Sequence, residues 1–326
     1  MKFGIVLFNK GPLASGEKMV RMAQRAEALG FDHVVVTEHL AIPKREGEND
    51  QYRSAKPSQQ GIQVVQRKGW EALRNYHEPL LTLMHLAGQT KRIRLGTSVM
   101  ILPYRNPLVT AKMLATLDVL SNGRIFCGIG AGWWQDEFNA LGLGDHFKNR
   151  GARTDEYLRI FRTLWNDENA SFHGQFHQFD DLEFSPKPQQ QPLPIWVGGN
   201  SQRAMRRAAE LGDRWHPLAL KRPGQLEPDQ LAPLRHQLDS LTQAAGRDPA
   251  QVGLAVRCNV RISQQARATM TGTPQQLADD ARRYADNGVD SLTFDLPGGS
   301  WQEAMEHLEA IGEHVVAQAA SKPNSK

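Results

Sequence analysis

The sequence predicts a closed parallel (β/α)8 TIM barrel, and three observations carry that expectation. Eight short apolar runs read as strands and alternate with stretches of helical spacing. The strand runs are nearly continuous in apolar residues, as strands buried on both faces are. Residues capable of chemistry collect where these runs end. A length of 326 residues suits one such barrel without a second domain. An open, doubly wound sheet has the same alternation, and closure is not visible in a sequence, so it stands as the alternative.

Lys2 to Phe8 is the first strand, followed by a helix with Met19, Met22, Ala23 and Ala26 at helical spacing and Gly30 as its stop. His33 to Val36 is the second strand and delivers Thr37-Glu38-His39. The connection from 41 to 77 is rich in Arg, Gln, Gly and Lys and too polar for core. Pro79 to Thr90 is a helix and Arg94 to Ile101 the third strand. The next helix starts with Asn106 as cap and Pro107 at its first position, with Val109, Met113, Leu117 and Leu120 on one face. Arg124 to Gly128 is the fourth strand and Arg150 to Trp165 a helix. Residues 171–193 read as a hairpin-like excursion with a proline-rich return. Ile195 to Val197 then leads into a helix capped by Ser201 or Asn200, with Ala204, Ala208 and Leu211 inward. Arg214 to Leu218, Gly253 to Ile262 and Ser291 to Asp295 complete the strands, and helices at 229–245, 273–287 and 301–319 separate and follow them. The organisation expected is one barrel over 1–319 with insertions near 41–77 and 171–193, and a flexible tail at 320–326.

Composition narrows the function. No apolar run approaches the roughly eighteen residues that a membrane span needs, and MKFGIVLF is a strand pattern with no signal-peptide cleavage site, so a cytoplasmic protein is expected. Cys127 and Cys258 lie inside strands and read as buried thiols. A net charge of +4, with no basic run interleaved with aromatics, argues against nucleic acid and suits a small anionic ligand.

Gly128-Ile-Gly130-Ala-Gly132 follows a strand and first suggests a dinucleotide fingerprint. Trp133 occupies the place of the third glycine. Arg150 stands where the ribose-binding acid, roughly twenty residues on, would be. These glycines serve some other purpose.

In a barrel the chemistry sits at the C-terminal strand ends. These are Phe8-Asn9, Glu38-His39, Thr97-Ser98, Gly130-Ala131-Gly132, Gly198-Gly199-Asn200-Ser201, His216-Pro217 and Asp295. The only strand lysine, Lys2, is at the wrong end for a Schiff base, and no His-x-His follows strand one. His173 and His177 have a zinc-like spacing, but Gly174 and the prolines make that segment a loop, and no metal site is expected. Gly198 to Ser201 joins a strand to a helix, where backbone N–H groups, the positive helix end and two side chains converge as a phosphate cradle. An ordinary glycine turn with an N-cap accounts for the same residues.

Six blocks, MKFGIVL, GFDHVVVTEH, RLGTSVMILPYRNP, LDVLSNGRIFCGIGAGW, RGARTDEYL and PIWVGGNSQRAMRRAAELGDRWHP, occur in this order. Together they resemble the bacterial luciferase-like family of flavin- and deazaflavin-dependent oxidoreductases. The last blocks are most similar to the branch often assigned to coenzyme F420. The resemblance implies an isoalloxazine-type ring across the barrel mouth, backed by a non-proline cis peptide at Ser98–Val99, just after Thr97. It implies that Gly130-Ala131-Gly132 leave room for the ring or its ribityl chain, and that Gly198, Gly199, Asn200 and Ser201 hold the phosphate. Arg124 matches a position near the phosphate, with a structural ion pair as the other reading.

Glu38-His39 matches an acid–histidine pair beside the reactive face. An imidazole titrates near neutrality and can protonate a substrate or stabilise a charged flavin, with Glu38 as its orienting neighbour. Phe8, Trp133 and Asp295 would border the substrate pocket, although Trp133 and Trp134 fit core or subunit-interface packing as well, and His216 reads as structural. The implied reaction is hydride or oxygen transfer to or from a small organic substrate, using F420 or FMN, with NAD(P)H as reductant in the FMN case. The anionic tail of F420 would suit the basic excess and the 41–77 connection. A homodimer without nucleic-acid or membrane partners is expected. A flavin-binding barrel without turnover, and an unrelated phosphate-binding barrel, are the rival readings.

Overall fold

The computed structural model describes residues 1–42, 74–220, 226–264 and 268–320. Most of the 41–77 connection and nearly all of the tail expected at 320–326 lie outside the described residues.

The first half of the sheet contains β1 (Lys2–Val6), β2 (His33–Val36), β3 (Arg94–Thr97), its short continuation β4 (Met100–Ile101), and β5 (Ile125–Gly130). The 171–193 excursion opens as an antiparallel hairpin of β6 (Asn169–His173) and β7 (Gln178–Glu183). The second half contains β8 (Ile195–Gly198), β9 (Arg214–His216) continued by β10 (Leu218–Ala219), and β11 (Gly253–Asn259). After the small pair β12 (Arg261–Ile262) and β13 (Thr271–Gly272) comes β14 (Ser291–Asp295). β14 pairs in parallel with β1 from Lys2↔Ser291 to Ile5↔Phe294, and β9 pairs with both β8 and β11. Eight parallel positions therefore close on themselves, and the open-sheet alternative fails.

The helices are α1 (Gly16–Ala28), α2 (Pro79–Ala87), α3 (Pro107–Leu120), α4 (Gln135–Ala140), α5 (Arg150–Asn166), α6 (Gln202–Leu211), α7 (Leu231–Ala244), α8 (Pro274–Asp286), α9 (Trp301–Ile311) and α10 (Ala317–Ala320). Local chemistry sets their starts. Asn106 accepts from the N–H groups of Leu108 and Val109 at 2.9 and 3.2 Å, with Pro107 supplying a preset φ at the first position. Met19, Met22, Ala23 and Ala26 of α1 face the core as the periodicity requires. α3 differs from expectation: Val109 and Leu120 are 58% and 59% exposed, and Ala111, Leu114 and Ala115 supply its inward face. Its polar residues are spread over both sides, with Thr110 and Asp118 buried, so apolar spacing alone does not choose the inward face. Among the described residues no helix is long and apolar enough to cross a membrane.

Large rings fill the N-terminal end of the barrel. A Cβ added to Gly4 would lie 2.1 Å from the His33 imidazole, and one on Gly96 2.3 Å from the Phe126 ring, so glycines in β1 and β3 accommodate rings from β2 and β5. His33 packs edge-on against Trp196, which stacks on Phe126 at 4.1 Å between centroids. The guanidinium groups of Arg94 and Arg214 lie over Phe126 and Trp196.

Arg124 belongs to this end as well, and the phosphate role expected of it does not fit. Its side chain donates to the carbonyls of Ser121, Ile93 and Ala87 at 2.7, 3.1 and 2.8 Å and to Thr90 Oγ1 at 2.9 Å. It caps the C-terminal end of α2 and ties the entry of β5 to that of β3. The mouth is at the far end of these strands.

Candidate active site at the barrel mouth

Between β3 and β4 the ladder is interrupted at Ser98 and Val99, and the peptide joining them is cis. Val99 forms a wedge that the surrounding glycines admit. An added Cβ would lie 2.8 Å from Val99 Cγ2 at Gly130 and 2.6 Å from Val99 Cγ1 at Gly198. Gly132, at φ +81, is closed in by Ile101 and Phe138, and Ala131 between the two glycines is half-buried. Gly128 is tighter still, because its Cβ would come within 1.8 Å of the Thr97 carbonyl oxygen. Thr97 Oγ1 donates to the Gly128 carbonyl at 2.6 Å, which holds the two strands at that spacing. The glycines of this turn thus make room for the β3 chain and for Val99, Ile101 and Phe138, rather than for a cofactor as the resemblance implies.

Ser98 is held by residues from two other strands. His216 Nδ1 is 2.7 Å from the Ala255 carbonyl, which can only accept, so this nitrogen carries the hydrogen. Burial pushes the His216 imidazole down to about 3, leaving Nε2 as a neutral acceptor for the Ser98 hydroxyl at 2.8 Å. Arg257 Nη1 donates to the Ser98 carbonyl at 2.6 Å, while its Nε and Nη2 each meet an Asp295 oxygen at 2.6 Å. Asp295 is therefore occupied by Arg257, and its place in the pocket is that of a holder.

His39 lies at the end of β2, at the mouth. Its Nδ1 is 2.6 Å from Glu137 Oε2, contributed by α4. Glu137 is fully buried and also accepts from Leu40 N–H, Ala41 N–H and the Tyr104 hydroxyl at 2.6, 3.2 and 3.1 Å. Burial alone would raise its carboxyl, but His39 and the two backbone donors outweigh that and hold it below the usual range. An ionised carboxylate only accepts, so His39 Nδ1 carries hydrogen and Nε2 is the atom free to give or take a proton. Among the described residues Nε2 has no hydrogen-bond partner. Tyr76, Trp133 and Trp134 surround the ring edge-on at 5.4, 6.1 and 5.7 Å. Trp134 is buried and Trp133, stacked on it, is half-exposed.

The role expected of Glu38 needs correction. Its carboxyl accepts from the Ile101 N–H and from Arg105, which also meets Glu78 at 2.7 Å. Burial works against the Arg105 charge, but the two glutamates outweigh it and hold the guanidinium up. Glu38 thus ties β2 to β4, and Glu137 orients His39. Phe8, at the end of β1, is half-buried against the core.

At the end of β8, Gly199 has φ +115, a conformation that disfavours any side chain. Asn200 is fully engaged with Leu218, donating to its carbonyl and accepting from its N–H, both at 2.7 Å. Its amide locks the turn onto β10, and the Gly199 N–H donates to the His216 carbonyl at 3.3 Å. Ser201 caps α6 by accepting from Ala204 N–H at 3.2 Å. Arg150 stands nearby, donating to the Gly132 and Phe147 carbonyls at 3.0 and 2.7 Å; burial and then the charge of Arg203 push its guanidinium down. With no acid in the first turn of α6, this corner is electropositive. Gly199→Val is expected to abolish cofactor binding with little change in the far-ultraviolet circular dichroism spectrum. Wild-type affinity in that variant would place the phosphate elsewhere.

The two buried imidazoles make the barrel acid-sensitive. Burial pushes both His33 and His216 down. The unfolded chain accepts a proton that the folded one refuses, so stability is complete above the unfolded value of 6.5 and falls as pH drops. For His216 this window runs from 6.5 down to about 3, at up to about 1.4 kcal/mol per pH unit. The melting temperature is expected to fall steadily below about pH 6.5, and less steeply in His216→Gln. Equal slopes would refute the assignment.

Sequence reasoning did not find Glu137, Arg257, Tyr76 or Arg150. Glu137 lies 98 positions from His39 in the chain, and only folding shows that the two meet.

The fold and the clustering of Ser98, His39 and Gly198 to Ser201 at its C-terminal end define a (β/α)8 protein of the enzyme-bearing type. The chain belongs to the luciferase-like monooxygenase family, whose model matches residues 1–322. An uncharacterized protein of Mycobacterium tuberculosis is 30% identical over 317 residues, covering 95% of this chain and 97% of that protein. The F420-dependent glucose-6-phosphate dehydrogenase of Amycolatopsis mediterranei is 30% identical over 197 residues, 60% of this chain and 51% of that enzyme. Monooxygenase RslO1 from Streptomyces bottropensis shares the fold, with a TM-score of 0.75 at 23% identity, covering 98% of this chain and 100% of that one.

Proposed function

We propose that this protein is an oxidoreductase that binds FMN or F420 at the barrel mouth and acts on a small organic substrate. The observation that carries the reading is His39, whose Nδ1 is fixed by a buried, ionised Glu137 and whose Nε2 is left for a substrate. The residues present suit such a cofactor. Val99 offers an apolar surface to a flat ring, and the α6 N-terminus with Arg150 and Arg203 suits a phosphate. When bound, the cofactor supplies the redox step, as hydride or oxygen transfer. The chain's own part is to seat the ring on the Val99 wedge, hold the phosphate, and pass a proton at His39 Nε2. Trp133 and Tyr76 flank the imidazole edge-on, an aromatic border for a bound substrate.

Fluorescence titration of the purified protein with FMN and with F420, side by side, tests this directly. Quenching at micromolar concentration or below by at least one is expected. Binding of neither overturns the proposal, and binding without turnover across a panel of carbonyl and alcohol substrates favours the storage reading.

A homodimer through α2 and α3 completes the proposal. Leu81, Met84, Val109 and Leu120 are exposed on these adjacent helices, an apolar face that solvent disfavours. Sedimentation is expected to show a dimer for the wild type and a monomer for Val109→Glu/Leu120→Glu. A wild-type monomer would overturn it.

A further inference from the structure

We propose that Arg257 is a positioning residue for the cofactor, a strut across the barrel that fixes the Ser98 carbonyl beneath the ring site. The inference rests on the functional reading above. β11, which carries Arg257, and β3, which leads to Ser98, are not neighbours: β14, β1 and β2 separate them on one side and β9, β8 and β5 on the other. The two residues meet only because the guanidinium crosses the barrel interior, where Arg257 is 7% exposed.

The planar fork divides its donors in a way that no other side chain can copy. Nε and Nη2 are both used on Asp295 at 2.6 Å, which sets the plane and direction of the group. Nη1 then points at Ser98, 2.6 Å from its carbonyl and 3.3 Å from its hydroxyl. From the other side His216 holds the same hydroxyl. Within the backbone, Ser98 N–H donates to the Val36 carbonyl at 2.8 Å. The position of Ser98 is thus set by β2 at its N–H and by β11 and β9 at its carbonyl and hydroxyl, and any shift passes directly to Val99, the wedge on which the ring would rest. A lysine at 257 would keep the charge but has a single donor tip, so it can satisfy Asp295 or Ser98 with correct direction, not both.

The test compares wild type, Arg257→Lys, Asp295→Asn and a control, Arg235→Lys, which alters a partly buried arginine pair on α7, with Asp239. Each is measured for FMN and F420 affinity by fluorescence and for the visible circular dichroism of the bound cofactor at saturation. Arg257→Lys is expected to weaken binding by about tenfold or more and to change the visible dichroism, because the ring is seated differently. Asp295→Asn should show a smaller change of the same kind, and the control none. Arg257→Lys with wild-type affinity and an unchanged dichroic spectrum overturns the inference while leaving the functional reading intact. If Arg257→Lys does not fold, Asp295→Asn decides, and wild-type values there overturn the inference too. A wild-type protein that binds neither cofactor removes the functional reading and this inference together.

Discussion

His39→Ala is expected to bind cofactor as the wild type does and to lose about 10²–10⁴-fold in turnover, the range for removal of a positioned proton donor. On the proposed reading the two outcomes separate because His39 would reach substrate through Nε2, whereas the ring would rest on Val99 and the phosphate on the α6 end. Glu137→Gln provides the companion measurement. The amide has one acceptor oxygen in place of two, while four donors converge on the site: His39, Tyr104, Leu40 N–H and Ala41 N–H. At least one becomes unsatisfied, at a cost of about 1–3 kcal/mol, and the Nδ1 hydrogen of His39 loses its ionised partner. Turnover is expected to fall at least about 10²-fold, since the histidine is no longer held in one tautomer. Steady-state rates, read beside the cofactor titration, decide both cases. Unchanged turnover in His39→Ala would return the residue to a structural role.

Gly128→Ala is expected to abolish the folded state or destabilise it beyond the roughly 4–5 kcal/mol that marks exceptional substitutions. Its Cβ would sit 1.8 Å from the Thr97 carbonyl oxygen, a backbone atom with no freedom to step aside. Gly16→Ala in α1 is the matched control. Its Cβ meets nothing nearer than His85 Nε2 at 3.8 Å, and alanine should help the helix by up to about 1 kcal/mol. Soluble yield and thermal melting of the two variants measure the contrast. A Gly128→Ala protein that melts like the wild type would show that β3 and β5 approach each other less closely than described.

The barrel was legible because the strands carry apolar runs and several helices their own stop or start signals, such as Gly30, Asn106-Pro107 and the Thr273-Pro274 start of α8, whereas the short α4 begins without a side-chain cap and was not expected. The outward face of α3 was not, because its polar residues are divided between the two sides: Lys112 and Thr116 are partly exposed while Thr110 and Asp118 are buried with Ala111, Leu114 and Ala115. Strand ends could be read for candidate chemistry, which is how His39, Ser98 and Gly198 to Ser201 were found. Which residues partner them could not. Glu38 is adjacent to His39 in sequence, yet adjacent residues of a strand end point in opposite directions, and its carboxyl turns to Arg105 while Glu137 arrives from α4. Arg124 and Arg257 make the same point from opposite ends of the barrel. Both are arginines in or next to a strand, and only the carbonyls around them reveal that one caps a helix and the other supports the mouth.

The His33, Phe126 and Trp196 rings, with the Arg94 and Arg214 guanidinium groups over two of them, fill the N-terminal end of the barrel like a stopper. On the functional reading proposed above, a ligand seated on Val99 would rest over packed side chains and not over a channel through the barrel, so its exchange with solvent would take place at the mouth.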